Sequence, residues 1–345
     1  MAFVCENCGN RSAKWMGFCP QCLVQEPLVE EVPAPSQRTS RKVPAAKKIR
    51  LDEVRSDDAA RAPVGIGELD RVLGGGLVSG SVVLLGGEPG VGKSTLLLQA
   101  AGQLGRQGRR ALVVSAEESA QQVAMRADRL GIGGEGVALV ADDDVDRVLA
   151  AADDDPPDLM IVDSIQTVLT QDASGSPGGV TQIRESAARL IRFAKDRGVA
   201  TILVGHVTKD GGIAGPKLLE HMVDVVLYLE GHPDRGLRAL RCLKNRFGAT
   251  HVVGVFEMTA DGLVEVADPS KAFLSDWESS VPGTIAFPAV EGRRSVLVEI
   301  QALTNPTQNP QPRRSVRGVE VARVHQILAV LARHHGIPFV VAAPR

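Results

Sequence analysis

The chain has 345 residues, ample for a sizeable core, with 39 basic against 41 acidic side chains and a formal net charge of −2. A balance this close to zero leaves bulk electrostatics silent on nucleic acid, so any such contact must be a local patch. No run approaches the roughly 18 apolar residues that span a bilayer, Met1 to Cys5 lacks the charged and apolar segments of a leader, and aromatic content of 3 % is too low for an extended base-stacking platform. The expectation is a cytosolic (cytoplasmic), mainly α/β protein with one large domain, appendages and no membrane contact.

Four of the five cysteines fall within the first 22 residues, as Cys5-x-x-Cys8 and Cys19-x-x-Cys22, ten residues apart. That is zinc-ribbon spacing, in which each knuckle sets two thiolates on one face of a tight turn. Gly9 and Pro20 sit where such turns need them. Disulfides are the competing reading, disfavoured in a reducing compartment. Four thiolates leave no open coordination position, so the zinc is expected to be structural, with residues 1–28 as the ribbon. Residues 29–50 then turn proline-rich and charged, ending in Arg41-Lys42-Val-Pro-Ala-Ala-Lys47-Lys48, and read as a flexible basic linker. Contact of its basic half with nucleic-acid phosphates is the alternative to a solvated tether.

Order is expected from Leu51. In Val82-Val-Leu-Leu-Gly-Gly-Glu-Pro-Gly-Val-Gly-Lys-Ser-Thr95 an apolar strand runs into Gly87-x-x-x-x-Gly92-Lys93-Ser94, the P-loop pattern. Backbone N–H groups of such a loop curl around nucleotide phosphates, Lys93 supplies a point charge and the Ser94 hydroxyl faces Mg²⁺. The ATP-binding set is Gly87, Glu88, Pro89, Gly90, Val91, Gly92, Lys93, Ser94 and Thr95. Leu96-Leu97-Leu98 reads as the buried face of the following helix, whose dipole also faces the phosphates. The segment ahead of this strand, Ile66-Gly-Glu-Leu-Asp-Arg-Val-Leu-Gly-Gly-Gly-Leu77, resembles the entry of RecA-type ATPases, a group that includes recombinases, hexameric helicases and circadian-clock ATPases. The expected fold is therefore a RecA-like P-loop ATPase core over residues 51–303, with a mainly parallel sheet flanked by helices and preceded by the ribbon.

Arg110-Ala-Leu-Val-Val-Ser115 reads as a strand ending at Glu117 and Glu118, beside the nucleotide crevice of a doubly wound sheet. By the RecA-like resemblance a glutamate here polarises the attacking water. Glu117 fits best and Glu118 second, the alternative being that both are favourable charges at a helix N-terminus. Asp158-Leu-Met-Ile-Val-Asp163-Ser164 is a Walker B strand whose Asp163 holds Mg²⁺ through water while Ser94 binds it directly. Ala200–Gly205 is a further strand ending at His206, read as a γ-phosphate sensor or, equally, a structural histidine. The glycine-rich Lys209–Gly215 reads as mobile, in a region where RecA-like proteins place DNA-contacting loops.

Three strand-like runs follow, Met222–Leu229, Leu237–Leu243 and Val252–Met258, with Cys242 read as a small buried hydrophobe. The last two flank Lys244-Asn245-Arg246-Phe247-Gly248. With the four-cysteine ribbon and the P-loop, this pentapeptide is similar to the RadA (Sms) family of bacterial DNA repair proteins, as are Val281-Pro-Gly-Thr and Arg293–Leu303. The resemblance runs over residues 3 to 335. It implies a DNA-stimulated, helicase-like ATP hydrolase that drives branch migration as a hexameric ring threading single-stranded DNA, with ATP, Mg²⁺ and structural zinc, on branched DNA, and with the RecA recombinase as partner. Lys244 and Arg246 can then reach a neighbouring subunit's γ-phosphate or DNA phosphates, a solvated surface hairpin being the alternative.

The family typically continues into a domain similar to the Lon protease fold. Here a Pro/Asn-rich linker, Asn305 to Gln311, leads to one helix with Val321, Val324, Ile327, Leu328 and Leu331 on an apolar face. Residues 304–345 are read as a linker and the truncated start of that domain, with weakened ring assembly and DNA engagement expected. A nucleotide-gated DNA scaffold without productive translocation is the second function class, and a RecA-like ATPase acting on proteins the third. The ribbon and the Lys244–Gly248 segment argue against the third.

Overall fold

The structure, a computed structural model, describes residues 3–5, 7–8, 10–12, 14–25, 29–30, 50, 61–206, 218–231, 236–250, 252–270, 274, 281–291, 294–305 and 313–336. It divides into two units, Met1–Arg55 and Ser56–Arg345.

In the first unit β1 (Phe3–Val4) pairs antiparallel with β2 (Arg11–Ser12) and β3 (Val29–Glu30), in the order β2-β1-β3. Phe3, Met16, Cys22 and Val24 pack around buried Cys5 and Cys19. A cluster this small cannot hold a fold by burial alone, which is the physical reason to staple it. Strand β3 lies in the stretch read from sequence as linker, so regular structure reaches Glu30. The rest of that linker, 31–49, lies outside the described residues.

The second unit opens with β4 (Arg61–Ala62), α1 (Gly67–Leu73) and β5 (Leu77–Val78), β4 and β5 pairing antiparallel. There follow β6 (Val82–Gly87), α2 (Lys93–Arg106), β7 (Ala111–Ser115), α3 (Ala120–Arg129), β8 (Val137–Val140), α4 (Val145–Asp154), β9 (Leu159–Asp163), α5 (Val180–Arg197), β10 (Ala200–Val204) and α6 (Leu218–Met222). Then come β11 (Val225–Gly231), β12 (Leu237–Asn245), β13 (Val253–Thr259) and β14 (Gly262–Glu265). They form one nine-stranded sheet in the order β14-β13-β12-β11-β6-β10-β9-β7-β8, parallel from β11 to β8 and antiparallel from β11 to β14.

The strand period of two separates the sheet's faces. Val83 and Leu85 join a cluster with Leu69 and Val72 of α1 and Leu96, Leu97 and Leu104 of α2, whereas Val82 and Leu84 join Val148 of α4, Ile183 and Leu190 of α5 and Leu219 of α6. All six residues of β6 are buried, as expected of a parallel strand covered on both faces. Met222, read from sequence as the start of a strand, instead ends α6, and β12 extends through Lys244 and Asn245 into the pentapeptide.

Beyond the sheet, β15 (Thr284–Glu291) and β16 (Arg294–Gln301) form a separate antiparallel hairpin, with Ile285 opposite Ile300 and Phe287 opposite Val298. The expected amphipathic helix is α7 (Val321–His335), none of whose residues is buried. Segments 207–217, 306–312 and 337–345, which include the glycine-rich loop, most of the Pro/Asn-rich linker and the terminus, lie outside the described residues.

Candidate active site

Strands β6, β7, β9 and β10 are mutually parallel, so their C-terminal ends share one edge, where doubly wound sheets bind ligands. Strand β6 ends at Gly87 and α2 starts at Lys93, leaving Glu88–Gly92 as the loop. A Cβ on Gly87 would lie 2.4 Å from the carbonyl oxygen of Leu229, so the loop leaves the sheet only through a glycine. Gly92, the N-cap of α2, has φ 113°, and a Cβ there would meet Met258 Cε at 2.6 Å. No side chain caps α2, so its first N–H groups are left to a ligand such as phosphate. Lys93 is buried inside this loop, its Nζ donating to the carbonyls of Gly87 at 2.9 Å and Glu88 at 3.0 Å. Burial pulls its pKa down, and the nearby charges of Asp163 and Glu117 oppose that shift.

Asp163 ends β9. Burial pushes its carboxyl above the ordinary range, a hydrogen bond from Ser94 acts the other way, and Glu117 and Glu118 add like charge while His206 opposes them. The hydrogen-bonded hydroxyl and carboxylate are hard oxygen donors of the kind Mg²⁺ takes.

The two sequence candidates Glu117 and Glu118 are separated by their surroundings. Helix α3 starts only at Ala120, capped by Ser119 and Gln122 in a reciprocal box, so neither glutamate belongs to its first turn. Glu118 is ion-paired with Arg126 of α3. Glu117 turns to the strand ends, where its Oε1 accepts from Ser164 Oγ at 2.6 Å and lies 3.4 Å from His206 Nε2. Lys93, Ser94, Glu117, Asp163 and His206 thus meet at one edge. Sequence reasoning passed over Ser164 and Arg126; a serine directly after the strand-terminal acid was the available signal for the first.

The Lys244–Gly248 segment sits elsewhere. Asn245 pairs with Val225, which is level with Val83, whereas Leu229 is level with Gly87, so the pentapeptide lies at the opposite edge of the sheet from the loop. Lys244 Nζ donates to the carbonyls of Glu220 at 2.7 Å, Val223 at 2.8 Å and His221 at 3.5 Å, around the end of α6. Burial lowers its pKa, Arg246 reinforcing the shift. Asn245 reaches the Leu73 carbonyl and accepts from the Phe247 N–H, whose own carbonyl accepts from Arg61. Gly248 packs near Asn245 Nδ2. Arg246 pairs at 3.0 Å with Asp224, whose other oxygen accepts the Val82 N–H at 3.0 Å. Both cations have partners within the subunit, Arg246 while remaining half exposed to solvent. Asp224, 5 % exposed, was missed, although a lone acid in Met222-Val-Asp-Val-Val must find partners if buried. Cys242 is buried, as read, and burial pushes its thiol up.

In the first unit the four sulfurs of Cys5, Cys8, Cys19 and Cys22 all lie within 4.8 Å of one another, with Cys5–Cys22 at 3.7 Å and Cys8–Cys19 at 3.5 Å. A zinc tetrahedron with bonds of about 2.3 Å has sulfur–sulfur edges of about 3.8 Å, so the set fits a closed structural zinc site and is far from disulfide length. The Cys22 backbone N–H pulls the Cys19 thiol down to about 6, and that of Val24 lowers Cys22. The Asn10 N–H acts likewise on Cys8, but burial and the neighbouring thiols outweigh it and push Cys8 up to about 12. Crowded thiolates of this kind call for a cation among them.

Among the described residues no helix is long and apolar enough to cross a membrane. Residues 47–212 match the AAA domain family and residues 3–26 the rubredoxin metal binding domain family. A KaiC-like protein of Pyrococcus horikoshii shares the fold, with a TM-score of 0.51 and 22 % identity over 60 % of this chain and 99 % of that one. The DNA repair protein RadA of Brucella abortus is 47 % identical over 98 % of this chain and 74 % of its own length, and that of Pseudomonas aeruginosa 48 % identical over 97 % and 74 %. With a zinc ribbon, a RecA-like ATPase core and identity of this extent, the chain belongs to the RadA family of DNA repair proteins.

Proposed function

We propose that this chain hydrolyses ATP at the Gly87–Thr95 loop and couples turnover to DNA, moving branch points in recombination intermediates. The observation that carries this reading is the convergence of Lys93, the Ser94–Asp163 pair and Glu117 at one strand edge. The loop N–H groups and Lys93 bind the β- and γ-phosphates, which draws the ammonium from the Gly87 and Glu88 carbonyls to the nucleotide. Ser94 and Asp163 hold Mg²⁺, which supplies neutralisation of phosphate charge when bound. Glu117 takes the proton of the attacking water, and Glu118, engaged by Arg126, takes no direct part. His206, beside Glu117, reports the state of the γ-phosphate.

Lys244 and Arg246 act away from their own nucleotide. Four residue steps along β11 separate Val225 from Leu229, about 13 Å at the usual rise, so a phosphate they touch belongs to a neighbouring subunit or to DNA. This fits a cytoplasmic ring, a hexamer by family resemblance, around single-stranded DNA, with RecA recombinase supplying the branched substrate. The test is steady-state ATP hydrolysis by the zinc-loaded chain with and without single-stranded DNA, alongside Lys93→Ala and Glu117→Gln. DNA-stimulated turnover lost in both variants supports the motor. A Glu117→Gln protein that still binds DNA, beside a wild type that never turns over, would support the nucleotide-gated scaffold instead.

A further inference from the structure

We propose that Ser164 is a positioning residue for hydrolysis, its hydroxyl aiming the Glu117 carboxylate; this rests on the reading of Glu117 as general base. Ser164 follows Asp163 directly and is fully buried, at 0 % exposure. Its Oγ is 2.6 Å from Glu117 Oε1 and 3.3 Å from Thr167 Oγ1. The neighbours settle which way its single proton points. The Thr167 hydroxyl donates to the Ser164 carbonyl at 2.9 Å and accepts the Ser164 N–H at 3.3 Å. With its own proton committed, Thr167 competes for the Ser164 proton only as a neutral acceptor at longer range. A carboxylate at 2.6 Å wins, because charge-assisted O–H···O bonds are shorter and roughly twice as strong. Ser164 therefore donates to Glu117.

Glu117 needs an anchor. It sits outside α3 in irregular backbone after β7, with its side chain 41 % exposed, and among the described residues its other side-chain contact is the longer one to His206. Ser164, by contrast, is fixed on two sides. Asp163 is in register with Ser115 at the end of β7, and the Ile165 N–H donates to the Val204 carbonyl of β10 at 3.0 Å. Anchor and base thus stand at the ends of paired strands, and both described contacts of Glu117 fall on Oε1. Proton transfer depends steeply on such placement, a misplacement of about 1 Å being able to cost on the order of 100-fold.

The experiment is a kinetic cycle on the full chain with Ser164→Ala, Glu117→Gln and the double variant, each checked by thermal melting. Ser164→Ala is expected to lower kcat on the order of 10- to 100-fold with KM for ATP within about twofold. It is expected to add no further loss in the Glu117→Gln background. Ser164→Thr, which keeps the hydroxyl, should recover most of the rate; if its melting curve shows misfolding, the Ala/Gln cycle alone decides. Wild-type kcat in Ser164→Ala, a loss confined to KM, or multiplicative losses in the double variant would each overturn the proposal. Wild-type turnover in Glu117→Gln would instead sink the base assignment beneath it, a result read without any Ser164 variant.

Discussion

At the edge where β6, β7, β9 and β10 end, the buried cation Lys93 is hydrogen-bonded to carbonyls of its own loop, whereas at the opposite edge Lys244 is bonded to carbonyls around the end of α6, a separate element. The acids differ in the same sense. Asp163 is half-buried with Ser94 as its hydrogen-bond donor and its carboxyl pushed up, while Asp224 is buried against Arg246, Lys195 and a backbone N–H. A cation held by its own loop can turn to a ligand without moving secondary structure. Releasing Lys244 means uncapping α6, and releasing Arg246 leaves the buried Asp224 carboxylate with only the longer Lys195 pair and one backbone N–H. The first edge is poised for ligand exchange, and the second holds elements together and yields its cations only to a partner that replaces those contacts.

The largest effect expected is at the loop. Lys93→Ala should lower ATP turnover at least about 100-fold, as loss of a preorganised charge at developing phosphate charge does, with little change in the melting temperature. Comparable turnover in the variant would break the contrast between the two edges. Asp224→Ala should instead act on stability, lowering the unfolding free energy by about 2–3 kcal/mol in urea titration, because a buried N–H and two cations lose their acceptor. Lys244→Met should cost less, about 1 kcal/mol in the same titration, since it keeps the apolar stem and strands carbonyls rather than a charge.

The smallest effect has a sign that sharpens the comparison. Because the folded-state pKa of Asp163 is raised, the folded protein binds that proton more tightly than the unfolded chain. Its contribution to stability is favourable at low pH, is lost as pH rises through the folded pKa, and above that the partly desolvated carboxylate is a standing penalty. Asp163→Asn should therefore melt at a higher temperature than wild type at pH 7, with the gap closing as pH falls towards the ordinary carboxylate value of 3.8, while Mg²⁺-dependent turnover is lost. An Asp163→Asn protein that melts lower at neutral pH would show that the acid is satisfied in the fold like Asp224.

Much of the fold was readable because its signals are local. The runs ending at Gly87, Ser115, Asp163 and Gly205 are apolar but for Thr201 and the polar residues that end two of them, as strands covered on both faces tend to be, and each became a neighbour in the parallel sheet. The reading failed where the decisive partner is distant in the chain. Met222 lies in an apolar run that looks like strand, yet α6 claims it, its C-terminal carbonyls held by Lys244. Sequence ranked Glu117 ahead of Glu118 only by position, and the capping of α3 at Ser119 and the pairing of Arg126 with Glu118 supply the physical separation between them. The ribbon spacing identified its four ligands, while the pairing of β3 with β1 was hidden because Val29–Glu30 is too short to carry a pattern.

The sequence by itself determined the chemistry that contiguous residues can carry: a phosphate-binding loop between strand and helix, two Cys-x-x-Cys knuckles, and an acid ending an apolar strand. These need only the geometry of one turn or one strand. The tertiary structure alone decided that Glu118 is drawn off to Arg126, that Ser164, 47 positions away, donates to Glu117, and that the Lys244–Gly248 segment lies at the far edge with Asp224 holding its arginine. Those outcomes depend on the register between strands, and register is set by packing across the whole sheet rather than by any local run of residues.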